Sequence, residues 1–118
     1  MFEVMKKGRK GARARTDLRD IGISRVSNGN GRRAINIYFR NECLRLITSG
    51  DRLSVGVDGK RLYFIADDGG YSVVSPREWT RIRRVSINDP VYVERLEGFC
   101  GEYDLRRDTS RKMYYVEV

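Results

Sequence analysis

Apolar and polar residues alternate with a period of two in several stretches after residue 20, as they do in strands with one buried face. Ile35, Ile37 and Phe39 alternate with more polar neighbours. The sequence NGNG at 28–31 separates them from an apolar run at 21–26. Because Asn and Gly favour the positive φ angles of tight turns, these stretches predict a β-hairpin with a slightly long loop.

A second hairpin is the clearest local signal in the sequence. Asp58-Gly59 lies between two alternating runs, where a two-residue hairpin loop is expected. A loop at these two residues sets Val57 opposite Lys60 and Val55 opposite Leu62. One face of the hairpin then collects the apolar side chains that start a core.

Helical spacing is confined to short segments. Cys43, Leu44 and Ile47 predict a helix of at most two turns within 40–47. The sequence SPRE at 75–78 has the N-cap serine, the N1 proline and the glutamate of a capping box, so a short helix is expected around Trp79. Further strands are predicted at 71–74, as the third strand of a meander, and at 82–87, 91–94, 103–105 and 113–118.

Together these elements predict a mainly β (α+β) fold of antiparallel hairpins or a meander, with one or two short helices. The 118 residues have room for one β-rich domain, which we assign to 21–118. Residues 1–20 include KKGRKGARAR, which has no apolar periodicity with which to offset the entropy of ordering. We therefore expect a flexible basic N-terminal arm.

The net charge of +8 is concentrated at one end of the chain. Residues 1–40 contain eleven Lys and Arg against three acidic residues, whereas residues 41–118 contain thirteen of each sign. A segment of one sign beside a neutral body indicates an anionic partner. DNA or RNA is the expected partner, bound through phosphate contacts.

The residue types present exclude most catalytic chemistry. The chain has no His, which removes the commonest general base and the Ser-His and Cys-His nucleophile systems. Cys43 and Cys100 are 57 positions apart and form no CxxC pair, so we expect reduced thiols, with at least one in the core. Asp67-Asp68 precedes two glycines and is typical of a turn. We expect no enzyme activity, no catalytic residue, no metal and no cofactor.

No apolar run approaches the roughly 18 to 20 residues of a membrane-spanning helix, and the N-terminus lacks the apolar stretch of a signal peptide. The expectation is a soluble cytoplasmic protein without a membrane partner.

Residues 23–65 contain, in order, a hairpin with Gly31-Arg32 before its second strand, a short helix, Gly50-Asp51 and a second hairpin. This order resembles the AbrB-like transition-state regulators, a swapped-hairpin DNA-binding family. The resemblance implies an intertwined homodimer that docks on the DNA backbone through arginines near the first hairpin, and transcriptional control as its role. Tyr38 stands where the family usually has proline, and residues 70–118 have no counterpart in the minimal family unit.

The predicted nucleic-acid contacts fall into three groups. Arginines of the first hairpin take the role that the resemblance implies, and the basic arm wraps the phosphates. Arg81 and Arg83, beside Trp79, share one face if both fall on the strand, and with Trp79 they would then contact bases or line a groove. An alternative for that last group is neutralisation by Glu78 and Asp89 while Trp79 packs on the sheet. The predicted residues are Lys6, Lys7, Arg9, Lys10, Arg13, Arg15, Arg25, Arg32, Arg33, Arg81 and Arg83.

A different class of function also fits the small size and the missing catalytic apparatus. The alternative is a small inhibitor from a phage or mobile element, similar to anti-CRISPR proteins, that binds a host protein or ribonucleoprotein. A structural protein associated with RNA is a third possibility, for which a basic arm is equally suitable.

Overall fold

The computed structural model describes residues 19–27, 31–76 and 81–118. The predicted fold class is confirmed, because antiparallel strands in two sheets dominate this part of the chain. The strands are β1 (Ile21–Ser27), β2 (Arg33–Phe39), β3 (Arg52–Asp58), β4 (Arg61–Ala66), β5 (Tyr71–Ser72), β6 (Arg83–Ile87), β7 (Gly101–Tyr103), β8 (Arg106–Asp108) and β9 (Met113–Glu117). The helices are α1 (Leu44–Ile47) and α2 (Pro90–Leu96), and a 3₁₀ turn at Glu97–Phe99 follows α2.

The strands form two antiparallel sheets. Sheet A has four strands in the order β6-β2-β1-β7, and sheet B has five in the order β5-β3-β4-β9-β8. In sheet A the core residues of β1, β2 and β6 lie at every second position, as the alternation predicts; they are Ile21, Ile23, Ile35, Ile37, Phe39, Val85 and Ile87. Phe39 of sheet A and Phe64 of sheet B meet edge to face, with ring centroids 5.4 Å apart. The two sheets therefore share one hydrophobic core, which α2 and the 3₁₀ turn extend with Val93, Leu96 and Phe99.

The predicted loop of the second hairpin is displaced by one residue. Asp58 pairs with Arg61, so the two loop residues are Gly59 and Lys60, and Val57 lies opposite Leu62 instead of Lys60. Gly59 has a φ of +62°, which suits the first position of a type II′ turn. The cross-strand partner of each residue changes by two positions, which equals the side-chain period of a strand. The same apolar side chains therefore stay on the core face.

The strand at 71–74 does not continue a meander. β5 pairs with β3 at Leu53↔Tyr71, while the free edge of β4 is taken by β9. Gly70 allows this return, because a Cβ at that position would lie 2.3 Å from the Leu53 carbonyl oxygen. The chain therefore folds back beside β3, and Val74 forms an isolated bridge with Arg84 of β6.

The strand predicted at 91–94 is wrong, because this segment is the helix α2. The Asp89 side chain accepts a hydrogen bond from the Val91 backbone N–H at 3.0 Å, and Pro90 occupies the first helical turn. Val93 and Leu96, three residues apart, face the core. The β-branched residues suggested a strand, but the N-cap and the proline determine the local structure.

The helix predicted at 40–47 is a single turn. Asn41 and Glu42 have φ values of 55° and 58°, so the helical conformation starts only after them. The short strand predicted at 103–105 lies two residues earlier, as β7, and β8 was not predicted. The helix predicted around Trp79 lies outside the described residues at 77–80. Within the described ranges, no helix is long and apolar enough to cross a membrane.

Candidate nucleic-acid interface

At the turn end of the β1–β2 hairpin, two of the predicted arginines form ion pairs with the same carboxylate. Arg25 and Arg33 lie on the same face of the hairpin as the core residues Ile23 and Ile35, but closer to the turn, where the core ends. The Arg25 Nη1 lies 2.8 Å from one oxygen of Glu97, and the Arg33 Nη1 lies 3.2 Å from the other. Two guanidinium groups thus share one negative charge, so this end of the hairpin keeps an excess of positive charge.

These two ion pairs are exposed to solvent. The side chains of Arg25 and Arg33 are 53% and 52% exposed, and that of Glu97 is 27% exposed. Exposed pairs of this kind contribute little to stability, typically about 0 to 1 kcal/mol, and are screened by salt. The guanidinium groups can therefore exchange Glu97 for another anion at small cost.

A wide groove adjoins the same end of the hairpin. It has a volume of about 800 Å³, and its lining includes Arg32 and Arg33 on one side and Asn88 and Asp89 on the other. Arg32 is exposed and extends the positive surface of the hairpin. The structure thus places Arg25, Arg32 and Arg33 at the same end of the hairpin, and their contact with nucleic acid stays a prediction.

Arg81 and Arg83 lie at the opposite end of β2. Arg83 pairs with Phe39, six residues along the strand from Arg33, which corresponds to about 20 Å. Arg81 lies 3.5 Å from Glu42, and the same carboxyl group also contacts Arg45 at 3.4 Å. These two predicted arginines therefore belong to a separate cluster and do not extend the hairpin surface.

The predicted contacts of the arm belong to the part of the chain before residue 19. Lys6, Lys7, Arg9, Lys10, Arg13 and Arg15 all lie outside the described residues. Trp79, which was expected beside Arg81 and Arg83, lies outside them as well.

One basic group was not among the predicted contacts. The β8–β9 hairpin carries Arg106, Arg107, Arg111 and Lys112 within seven residues, a run that is readable in the sequence. Arg107 lies over the Tyr114 ring at 5.8 Å, and Arg111 is paired with Asp58 at 2.5 Å. This group lies in sheet B, away from the β1–β2 hairpin.

The thiol groups offer no reactive site in the core. Cys43 is buried, and burial together with the nearby Asp20 charge raises the pKa of its thiol to about 11. A thiol with a raised pKa is protonated at neutral pH and is a poor nucleophile. Cys100 is exposed and unpaired. In the described ranges no group of three or more His, Cys, Asp or Glu residues is arranged to hold a metal ion.

Comparison with known proteins adds no relative to this picture. No family model, curated protein or solved structure matches the chain.

Proposed function

We propose that this protein binds nucleic acid, and that the phosphate backbone docks at the turn end of the β1–β2 hairpin. The observation that carries the proposal is the sharing of the Glu97 carboxylate by Arg25 and Arg33. Arginine suits this task because its planar guanidinium group can donate two parallel hydrogen bonds to a phosphate. The basic residues between Lys6 and Arg15 add sequence-independent affinity through counterion release.

The resemblance to AbrB-like regulators extends the proposal to transcriptional control by a homodimer. The order hairpin, one-turn helix, hairpin over 23–65 supports this extension. Sedimentation equilibrium tests it directly. A mass of two chains supports the dimer, and a monomer at micromolar concentration argues against it.

The test of nucleic-acid binding is a fluorescence-anisotropy titration of labelled duplex DNA, single-stranded DNA and hairpin RNA at low and physiological salt. The double variant Arg25→Ala/Arg33→Ala should bind more weakly, and the slope of log affinity against log salt should fall by about 2. Glu97→Gln should bind several-fold more tightly, because it releases both guanidinium groups.

Asp104→Asn is the matched control for Glu97→Gln, because it removes one exposed carboxylate that has no partner in the described chain. If both carboxylate variants gain affinity equally, net charge and not the hairpin determines binding. A second control removes residues 1–16, which should weaken binding to every nucleic acid. If the intact protein binds neither duplex DNA, single-stranded DNA nor hairpin RNA at physiological salt, the proposal is wrong. That result would favour the alternative of an inhibitor that binds a host protein or ribonucleoprotein.

A further inference from the structure

The two sheets differ in what covers their outer faces. On sheet B, Tyr63 and Tyr115 lie side by side with ring centroids 5.5 Å apart, and they are only 4% and 8% exposed. Arg61 lies 4.2 Å above the Tyr115 ring, and Arg111 lies 4.9 Å above the Tyr63 ring. The chain's own guanidinium groups thus occupy the aromatic surface of sheet B.

The outer face of sheet A carries polar side chains that alternate with the buried residues. Tyr38 on β2 lies directly opposite Arg84 on β6, and the next row pairs Asn36 with Ser86 and with Ser24. These residues point away from the core, because their neighbours in sequence are the buried ones. The face therefore presents the partly exposed side chains of Tyr38 and Arg84 and the hydroxyl groups of Ser24 and Ser86, whereas Asn36 is buried between them.

A second guanidinium group lies over the β1 residue that pairs with Tyr38. Gly22 pairs with Tyr38, and a Cβ at Gly22 would lie 2.6 Å from the Arg40 Nη2. Arg40 therefore lies over the glycine, where it is paired with Glu102 of β7. Tyr38 is thus flanked by Arg40 on the β1 side and by Arg84 on the β6 side.

Arg84 has an unmet capacity for hydrogen bonding. Its Nε is buried without an acceptor, so a docked ligand would meet the outer Nη groups of this partly exposed side chain, which makes no ion pair within the described chain. A guanidinium group carries five N–H donors, and donors left without acceptors cost free energy. The oxygen atoms of a phosphate are the acceptors that complement such a group.

The amide of Asn36 holds the tyrosine in place. The Ser86 hydroxyl donates to the Asn36 Oδ1 at 2.6 Å, and the Asn36 Nδ2 donates to the Tyr38 hydroxyl at 3.4 Å. Asn36 is only 8% exposed, so its orientation is restricted. The ring of Tyr38 is therefore held by a neighbour on its own strand, which lowers the entropy cost of stacking a ligand on it.

We infer that the outer face of sheet A binds a single-stranded segment of nucleic acid, with a base on Tyr38 and a phosphate at Arg84. This inference rests on the proposed nucleic-acid binding and adds a second surface to it. An exposed base stacks on an aromatic ring, whereas the bases of a duplex are already stacked on one another. A protein partner would instead require an apolar centre, whereas this face is apolar at its edge, where Val74 bridges to Arg84 and is 41% exposed.

The test measures binding of a labelled 12-nucleotide single strand and of the matching duplex. Tyr38→Ala should weaken single-strand binding about tenfold, because it removes one base–aromatic stack. Arg84→Gln should weaken it several-fold and lower the salt slope by about 0.7, the value for one single-strand phosphate. Tyr38→Phe, which keeps the ring but loses the hydroxyl that accepts from Asn36, should bind more weakly than the wild type and more tightly than Tyr38→Ala. Duplex binding should be unchanged in all three variants.

Tyr92→Ala and Arg95→Gln are matched controls on α2, where both side chains are exposed and lie on a different element. They should bind like the wild type. If Tyr38→Ala and Arg84→Gln bind the single strand as tightly as the wild type does, the inference is wrong. This result would leave the hairpin proposal intact if Arg25→Ala/Arg33→Ala still weakens binding. If the wild-type protein binds neither the single strand nor the duplex, the proposed function itself is wrong.

Photocrosslinking covers the case in which Tyr38→Ala does not fold. A single strand that contains 5-iodouracil is irradiated with the wild-type protein, and the crosslinked peptides are mapped by mass spectrometry. Crosslinks to the peptide that contains Tyr38 support the inference. Crosslinks confined to other peptides contradict it.

Discussion

Arginines of equal charge have different roles here because their surroundings differ. Arg61 contacts Tyr63, Glu117 and Asp108, and the hydrogen bond to the Tyr63 hydroxyl is the largest cause of the upward shift of its pKa. Within the described ranges, Arg25 and Arg33 have Glu97 as their acidic partner and remain half-exposed. The arginines proposed to bind nucleic acid thus differ from Arg61 in how many partners the described part of the fold supplies.

Among the glycines, Gly70 illustrates a close approach of two backbone segments. Gly70→Ala should lower the free energy of unfolding by about 1 to 3 kcal/mol, because the new Cβ would overlap the Leu53 carbonyl, which is backbone and cannot move aside. Urea denaturation measures the change. Gly69→Ala is the control, since the nearest atom would lie 3.6 Å away, and it should be near neutral. Equal effects of both variants would contradict this account.

At the scale of elements, the β8–β9 hairpin is organised by one carboxylate. The Asp108 Oδ1 accepts from the backbone N–H groups of Ser110 and Arg111 at 3.0 and 3.1 Å, and its Oδ2 accepts from the Tyr63 hydroxyl at 2.8 Å. These hydrogen bonds, the one from Tyr63 first, hold the pKa of Asp108 below its ordinary value. The turn is thereby fastened to the outer face of sheet B.

This lowered pKa predicts a specific dependence of stability on pH. A carboxyl group with a lowered pKa in the folded state stabilises the fold above its unfolded pKa of about 3.9, and this contribution is lost as the pH falls through the folded pKa. Asp108→Asn should therefore be less stable than the wild type at pH 7, and the difference should shrink below about pH 4. Melting temperatures between pH 2 and 7 measure it. Asp104→Asn serves as the control, and a constant difference at all pH values would contradict the prediction.

At the scale of the whole molecule, the contact between the sheets makes them depend on one another. Phe39 and Phe64 are both buried and join the sheets edge to face. Val93 and Leu96 of α2 belong to the same cluster. We therefore expect both sheets to unfold in one cooperative transition.

Phe64→Ala should lower the free energy of unfolding by about 3 to 5 kcal/mol, because it leaves a cavity where the two sheets meet. Far-ultraviolet circular dichroism and tyrosine fluorescence should report the same midpoint in urea. Ile65→Ala, at an exposed neighbouring position on the outer face, should cost less than about 1 kcal/mol. Separate midpoints for the two probes would show that the sheets unfold independently.

The sequence by itself determined the local features of this protein. The alternation of Ile35, Ile37 and Phe39 predicted both β2 and its buried face, because the side-chain period of a strand is two. The Asp58-Gly59 signal located the second hairpin to within one residue. The concentration of positive charge near Arg25 and Arg33 was also readable from residue counts.

Only the tertiary structure decided which distant residues meet. Glu97 is 72 positions from Arg25, and no local pattern relates them. Arg84 reaches Tyr38 because β6 pairs with β2 and not with a neighbour in sequence. Local periodicity depends on backbone geometry within a few residues, whereas the choice of strand partners depends on how all the apolar faces are buried together. Both candidate binding surfaces arise from that choice.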